Sequence, residues 1–147
     1  MTVAMVHVFD VHYFISIIGV IADYLGYNFK SLNHISPYLE RAGKGISSLW
    51  ACTTALKHEC IVTVGYPESV DITEKWPADP EYYNSAITYS PEGEQILNYR
   101  KTFLYHTDET WALEGSDGFY DGVIPGLGNV VMGICKWLIE SFGLESP

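Results

Sequence analysis

With 147 residues, 48% of them apolar and 14% aromatic, the chain can build one hydrophobic core but is short for two domains. It carries 18 acidic against 8 basic residues, which gives a formal net charge of −10. This charge argues against nucleic acid or an anionic membrane surface as the main partner, because both attract clusters of Lys and Arg. We expect the acidity to produce a solvated, soluble surface.

The cysteine pattern gives an indication of the cellular compartment and of metal or other cofactors. The three cysteines, Cys52, Cys60 and Cys135, are odd in number and form no Cys-x-x-Cys pair, so they indicate neither a disulfide framework nor a zinc site. The histidines lack the His-x-x-x-His spacing of a metal-binding helix, and no Asn-x-Ser/Thr glycosylation site occurs. We therefore expect no metal or other cofactor and a reducing, cytoplasmic location.

The first predicted elements are apolar. Residues 2–9 have the β-branched and aromatic character of a strand, and 14–21 could be a strand or a buried helix. Residues 11–22 are apolar except for His12 and Ser16, a run too short to span a bilayer and without the positive leading region of a signal peptide. We interpret it as a buried element, with a hydrophobic anchor as the alternative.

The next stretch alternates helix and strand. Residues 31–39 predict a short helix interrupted by Pro37, and 41–45 a loop. A longer helix is predicted over Ile46–His58, and the i, i+3, i+4, i+7 spacing of its large side chains predicts one buried face. That predicted face consists of Ile46, Leu49, Trp50, Thr53 and Leu56. A buried strand is predicted at 60–65.

The second half is predicted to be mainly strands and loops. The strands are expected at 82–89, 95–100 and 129–135. Proline and glycine between the first two predict a hairpin turn. Residues 66–80 read as a loop, 102–128 as an irregular stretch rich in glycine and aromatics, and 136–142 as the start of a helix.

A set of residues suited to acyl transfer lies between 98 and 135. Lys101 follows a predicted strand, Cys135 ends an apolar one, and the carboxylates considered for the site, Asp108, Glu109 and Glu114, lie between them. A thiol can attack a carbonyl, a carboxylate can move protons, and an ammonium can stabilise the oxyanion. Each residue also has an ordinary alternative: a buried structural thiol, a solvated cation at a strand end, and surface carboxylates.

Several motifs together resemble those of the nitrilase superfamily of carbon–nitrogen hydrolases. Within it they are most similar to the protein N-terminal asparagine/glutamine amidases. The Tyr99-Arg100-Lys101 and Gly133-Ile134-Cys135 motifs point to the superfamily, and Asp108-Glu109-Thr110-Trp111-Ala112-Leu113-Glu114-Gly115 points to the amidase branch. The other matching segments are Gly26-Tyr27-Asn28-Phe29-Lys30-Ser31-Leu32, Gly45-Ile46-Ser47-Ser48-Leu49-Trp50-Ala51, Val64-Gly65-Tyr66-Pro67-Glu68, Tyr82-Tyr83-Asn84-Ser85-Ala86 and Pro125-Gly126-Leu127-Gly128.

This resemblance implies an α/β fold, namely part of the α-β-β-α sandwich of the nitrilase superfamily. It implies that Cys135 is the nucleophile, Lys101 the cation that stabilises the oxyanion, and Glu109 the auxiliary carboxylate. The substrate would be a protein or peptide N-terminus whose Asn or Gln side chain is deamidated, as in the N-degron pathway. The family forms dimers, so a homo-oligomer is expected.

Other positions depart from the family pattern. The general-base glutamate of the family, within a Pro-Glu pair, corresponds to Ile21 here, with Val20 in the proline position. The aspartate that follows the family's nucleophile corresponds to Trp137. We therefore expect weak or absent turnover, because no base lies at position 21.

The chain is interpreted as a single carbon–nitrogen hydrolase domain fragment over residues 1–147. The family-like part covers about 25–135, whereas 1–24 and 136–147 diverge, so we expect a truncated member. Two functions stay open: an impaired amidohydrolase, or a non-catalytic module that binds or associates through its sandwich surfaces.

Overall fold

Two β-sheets and their flanking helices make up the described part of the chain. A computed structural model describes residues 4–8, 18–20, 29, 31–71 and 80–134. The predicted helix at 136–142 and the positions Ile21 and Cys135 lie outside these residues. The strands are β1 (Ala4–Val8), β2 (Ile18–Val20), β3 (Val62–Val70), β4 (Glu81–Tyr89), β5 (Gln95–Arg100), β6 (Tyr120–Ile124) and β7 (Gly128–Ile134). The helices are α1 (Leu32–Ile35) and α2 (Ile46–His58), with short 3-10 turns at Ser36–Tyr38 and Asp108–Thr110.

The two sheets face each other. One sheet has the order β2-β3-β4-β5, in which β2 runs parallel to β3 and the other pairs are antiparallel. The other sheet has the order β1-β7-β6 and is antiparallel. Helix α2 packs on one face of the four-stranded sheet, and the three-stranded sheet packs on its other face. The described part is therefore an α-β-β stack, in agreement with the predicted α/β class.

Several predicted elements are confirmed. Strand β1 lies within the predicted 2–9, and β2 shows that part of 14–21 is a strand rather than a helix. Helix α1 begins after Ser31, whose hydroxyl accepts the His34 N–H, and it changes to a 3-10 turn near Pro37. Strands β4 and β5 form the expected hairpin.

Helix α2 has the predicted bounds, but the prediction of its buried face is wrong. Ile46 and Leu49 are 81% and 69% exposed, whereas the small residues Ser48, Ala51 and Ala55 are buried against the sheet. Small side chains allow the helix backbone to approach the strands closely. The large apolar residues consequently lie on the outer side, which the spacing of hydrophobic residues alone could not distinguish.

Strand β3 extends beyond its predicted end, so the prediction of a loop from residue 66 is wrong up to Val70. The strand tolerates Pro67 because the backbone of this residue faces away from β4. The Pro67 carbonyl accepts the Glu40 N–H at 2.9 Å on that side, where the ring nitrogen removes no hydrogen bond from the β3–β4 ladder.

The prediction that residues 102–128 are wholly irregular is also wrong, because β6 lies within them. Tyr120 and Ile124 point towards the four-stranded sheet, and the strand reverses into β7 through a tight turn closed by Leu127 N–H to Ile124 carbonyl at 2.9 Å. Gly126 and Gly128 each have a φ of +85°, which glycine adopts without steric cost. The glycines in this short hairpin hide its alternating pattern.

Candidate active site

Lys101 lies buried at the point where β5 ends. Its backbone N–H donates to the Asn84 carbonyl at 2.8 Å, and its carbonyl accepts the Gly115 N–H at 2.8 Å. The side chain is 1% exposed. A buried ammonium is costly unless it is paired, so the groups around Lys101 Nζ are important for its stability.

The partner of the Lys101 ammonium is Asp108. Lys101 Nζ lies 2.7 Å from Asp108 Oδ2, and the same oxygen accepts the Tyr105 N–H at 3.1 Å. The other oxygen, Oδ1, accepts Asn84 Nδ2 at 3.3 Å. The carboxylate thus neutralises the buried cation and is itself held from three directions.

The carboxylate expected from the sequence, Glu109, is the next residue and does not make this contact. Glu109 is exposed on the 3-10 turn that Asp108 begins, and Glu114 is also exposed. The sequence analysis missed the pairing of Asp108 with Lys101. A usable signal existed, because a short acidic residue at the start of a turn bonds nearby backbone N–H groups more readily than glutamate does.

Cys135 lies outside the described residues, but the strand that leads to it is placed. Ile134, the last residue of β7, packs in one core cluster with Ala86, Tyr99 and Met132. Tyr99 precedes Lys101 by two residues on the same face of β5. The ends of β5 and β7 therefore lie in one neighbourhood, on the side of the four-stranded sheet that faces its partner sheet.

A buried carboxylate, Glu68, lies on the opposite face of the same sheet. It is 2% exposed and accepts Arg100 Nη2 at 2.7 Å and Nε at 3.0 Å, together with Ser85 Oγ at 2.6 Å and Asn98 Nδ2 at 3.2 Å. Burial alone would raise the pKa of Glu68, but the hydrogen bonds and the charge of Arg100 outweigh it and lower the pKa. The carboxylate is therefore ionised and fully occupied.

Arg100 and Lys101 are consecutive and point to opposite faces of the sheet, as neighbouring strand residues do. The Arg100 guanidinium also lies 4.3 Å from the centre of the Tyr83 ring. Glu68 belongs to the α2 side together with Tyr66, which packs beneath the helix. It consequently cannot act as a base on the side where Lys101 and the end of β7 lie.

Within the described ranges, no group of three His, Cys, Asp or Glu side chains is arranged to hold a metal ion. None of the helices described is long and apolar enough to cross a membrane. We call the group of Lys101, Asp108 and Asn84, which are connected by hydrogen bonds on the inner side of the four-stranded sheet, the lysine centre.

Comparison with known proteins supplies the context for this geometry. The chain is 40% identical over 95 residues to the protein N-terminal amidase of Saccharomyces cerevisiae, covering 64% of this chain and 19% of that protein. It is 34% identical over 124 residues to the protein N-terminal amidase of Schizosaccharomyces pombe, covering 83% of this chain and 42% of that protein. The chain therefore spans less than half the length of these relatives. No protein-family model matches it.

Comparison of the folds indicates the same relatives as comparison of the sequences. A crystal structure of an N-terminal amidase with an Asn-Glu-Ala peptide superimposes with a TM-score of 0.60 and 37% identity, over 67% of this chain and 22% of that one. The same enzyme with a Gln-Gly peptide matches equally well. The resemblance read from the motifs is confirmed: the chain is a partial relative of the protein N-terminal amidases and has part of their nitrilase-type α/β fold.

Proposed function

We propose that the chain carries an amidohydrolase site that deamidates the side chain of an N-terminal Asn or Gln. One observation carries the proposal: a buried, carboxylate-paired Lys101 ammonium at the end of β5, beside the end of the strand that leads to Cys135. The relatives support the substrate, since the superimposed amidase structures hold peptides that begin with Asn or Gln. A protein or peptide N-terminus is the proposed partner, and the cytoplasm the proposed location.

The proposed reaction follows from the groups available. The Cys135 thiolate attacks the carbon of the side-chain amide, and its C=O electrons move to oxygen. The Lys101 ammonium stabilises the resulting oxyanion. The C–N bond then breaks, and the nitrogen leaves as ammonia after it takes up a proton. The remaining thioester is hydrolysed by water, which releases Asp or Glu and restores the thiol.

Glu109 is proposed as the auxiliary carboxylate by its place in the family motif. Its exposed position, one residue after Asp108, leaves it free to act near the substrate rather than on the Lys101 ammonium. Exchange of Glu109 for Gln tests this role, with a fall in turnover as the expected result. Unchanged turnover would assign the auxiliary role to another carboxylate.

Turnover is expected to be weak because Ile21 replaces the general base. General-base catalysis typically contributes about 10²–10⁴-fold. Among the described residues, Glu68 is the fully buried glutamate, and it lies on the wrong face of the sheet. This departure favours the second candidate function, a non-catalytic module of the same fold that binds N-termini or associates with other chains.

An ammonia-release assay on peptides that begin with Asn or Gln separates the two functions. Peptides that begin with Asp or Glu are the matched control, because they lack the amide. We expect slow release that Cys135→Ala abolishes and Ile21→Glu increases. No release by the parent chain or by Ile21→Glu would leave the non-catalytic module as the function. Turnover by the parent at an ordinary enzymatic rate, about 1–10³ per second, would show that no base is missing.

A further inference from the structure

Asn84 contacts Lys101 in two ways. Its main-chain carbonyl accepts the Lys101 N–H at 2.8 Å, which fixes the backbone of Lys101 to β4. Its side-chain Nδ2 donates to Asp108 Oδ1 at 3.3 Å, and Asp108 Oδ2 lies 2.7 Å from Lys101 Nζ. One strand residue therefore holds the backbone directly and the ammonium through a carboxylate.

This arrangement matters because the two charged side chains are anchored differently. Lys101 has four rotatable side-chain bonds and loses considerable entropy when one conformation is selected. Asp108 lies in a connection between strands, and its 3-10 turn is short. Asn84 is part of the β4 ladder, paired with β3 on one side. The amide of Asn84 thus ties a carboxylate of a loop to a strand of the four-stranded sheet.

We propose that Asn84 is a positioning residue, which holds Asp108 and through it aims the Lys101 ammonium towards the end of β7. The role of that ammonium in amide hydrolysis rests on the proposed function. The hydrogen-bonded relay from Asn84 to Asp108 to Lys101 does not rest on the proposed function, so it can be tested by itself.

The chain offers a matched control in Asn98. This residue lies on β5, is half-buried like Asn84, and donates its Nδ2 to a carboxylate, Glu68 Oε2, at 3.2 Å. It does so on the opposite face of the sheet, away from Lys101. Replacement of Asn98 by Leu therefore removes an amide–carboxylate hydrogen bond, together with the one that Asn98 Oδ1 accepts from the Tyr66 hydroxyl at 2.7 Å, and leaves the lysine centre intact.

The test is the proton–nitrogen NMR spectrum of lysine ammonium groups in the full chain. A buried, paired ammonium exchanges its protons slowly and gives a signal that exposed lysines lack, and Lys101→Met assigns it. We expect the signal in the parent and in Asn98→Leu, and its loss in Asn84→Leu and Asp108→Asn. Asn84→Val serves as a second variant if Leu impairs folding, because valine suits a strand.

Several outcomes would overturn the proposal. The signal could persist in both Asn84 variants while Asp108→Asn removes it, or Asn98→Leu could remove it as fully as Asn84→Leu. Its absence from the parent would mean that the Lys101–Asp108 pair is not held. The signal needs neither Cys135 nor turnover, so failure of the amidase assay leaves this test standing. Failure of this test likewise leaves the amidase assay unaffected.

Discussion

At the scale of single residues, the pair of buried Glu68 with half-buried Arg100 is the clearest source of pH dependence. Glu68 accepts four hydrogen bonds, two of them from Arg100. These bonds and the charge of Arg100 lower the pKa of Glu68 against the opposing effect of burial. The ionised form is consequently favoured in the folded state relative to the unfolded chain, where glutamate has a pKa of about 4.3.

We predict that Glu68 makes the fold lose stability in acid. The contribution of a carboxylate with a lowered pKa is present above its unfolded value and is lost as pH falls through its folded value. The free energy of unfolding should therefore decline below about pH 4.3. Glu68→Gln should lower it at neutral pH by about 1–3 kcal/mol, as expected when partners of a buried hydrogen-bonded group are left unpaired.

Thermal unfolding of parent and Glu68→Gln between neutral and acidic pH measures this effect. Glu92→Gln is the control, because Glu92 is exposed at the hairpin turn. The difference between parent and Glu68→Gln should shrink as pH falls. A difference that stays constant with pH, or that appears equally in Glu92→Gln, would contradict the role given to Glu68.

In the lysine centre, the lysine could be predicted from the sequence, but its carboxylate partner could not. Lys101 could be selected from the chain because its motif is specific, and the structure shows that its side chain is buried. Glu109 is named as the auxiliary carboxylate from the family motif alone, whereas the carboxylate that contacts Lys101 Nζ depends on where the 3-10 turn begins. The turn places Asp108 against Lys101 Nζ and leaves Glu109 exposed. The conformation of a loop is set by contacts that spacing does not encode.

At the scale of elements, α2 was predictable in extent and not in orientation. Its inner surface consists of Ser48, Ala51 and Ala55, and its outer surface carries the larger apolar side chains. The side chains that this helix buries against the sheet are all small. A reading that assigns the largest residues to the core cannot detect such a contact.

We predict that α2 tolerates change on its outer side and not on its inner side. Ala51 is fully buried, so Ala51→Leu should overpack the contact with the sheet and lower the free energy of unfolding by about 1–3 kcal/mol. Leu49 is exposed, so Leu49→Ala should change it by less than about 0.5 kcal/mol. Chemical denaturation of both variants checks the prediction. A larger loss in Leu49→Ala than in Ala51→Leu would reverse the assigned faces.

Some of the strands could also be predicted from the sequence, and others could not. The hairpin of β4 and β5 was predictable because its turn carries proline and glycine between two alternating runs. The end of β3 and the whole of β6 could not be predicted, because Pro67 and the glycines of β6 and its turn are typical loop residues. Their strand conformation depends on neighbours that come from distant parts of the chain: residue 40 beside β3, and β7 beside β6.

At the scale of the whole molecule, the sheets are covered unequally. The buried strand predicted at 60–65 has cover on both faces, with Val62 and Val64 beneath α2 and Ile61 against the second sheet. The three-stranded sheet is covered on its inner face. On its outer face Val123 is 67% exposed, and Val131 and Phe119 are exposed as well. Exposed apolar groups of this kind mark association surfaces when they are contiguous.

We predict that the chain associates through this outer face. Size-exclusion chromatography with light scattering should give a mass above 16.5 kDa or a broad peak. Val123→Lys should shift the chain towards the monomer, because a charge disfavours burial of that face. Ile46→Lys is the control on the outer side of α2. A sharp monomer peak with a cooperative melt for the parent, or an equal shift in Ile46→Lys, would contradict the outer-face assignment.

Lys101 and Cys135 are proposed to form one site, and alkylation kinetics test this proximity directly. A nearby ammonium favours the thiolate, so Cys135 should react with iodoacetamide faster than Cys60, which is buried, and Cys52, which is half-buried. Peptide mapping over a pH series gives the rate at each thiol. We expect a selective slowing of Cys135 in Lys101→Met, with the rates at Cys52 and Cys60 unchanged. Equal rates at the three thiols, or a Cys135 rate unaffected by Lys101→Met, would contradict it.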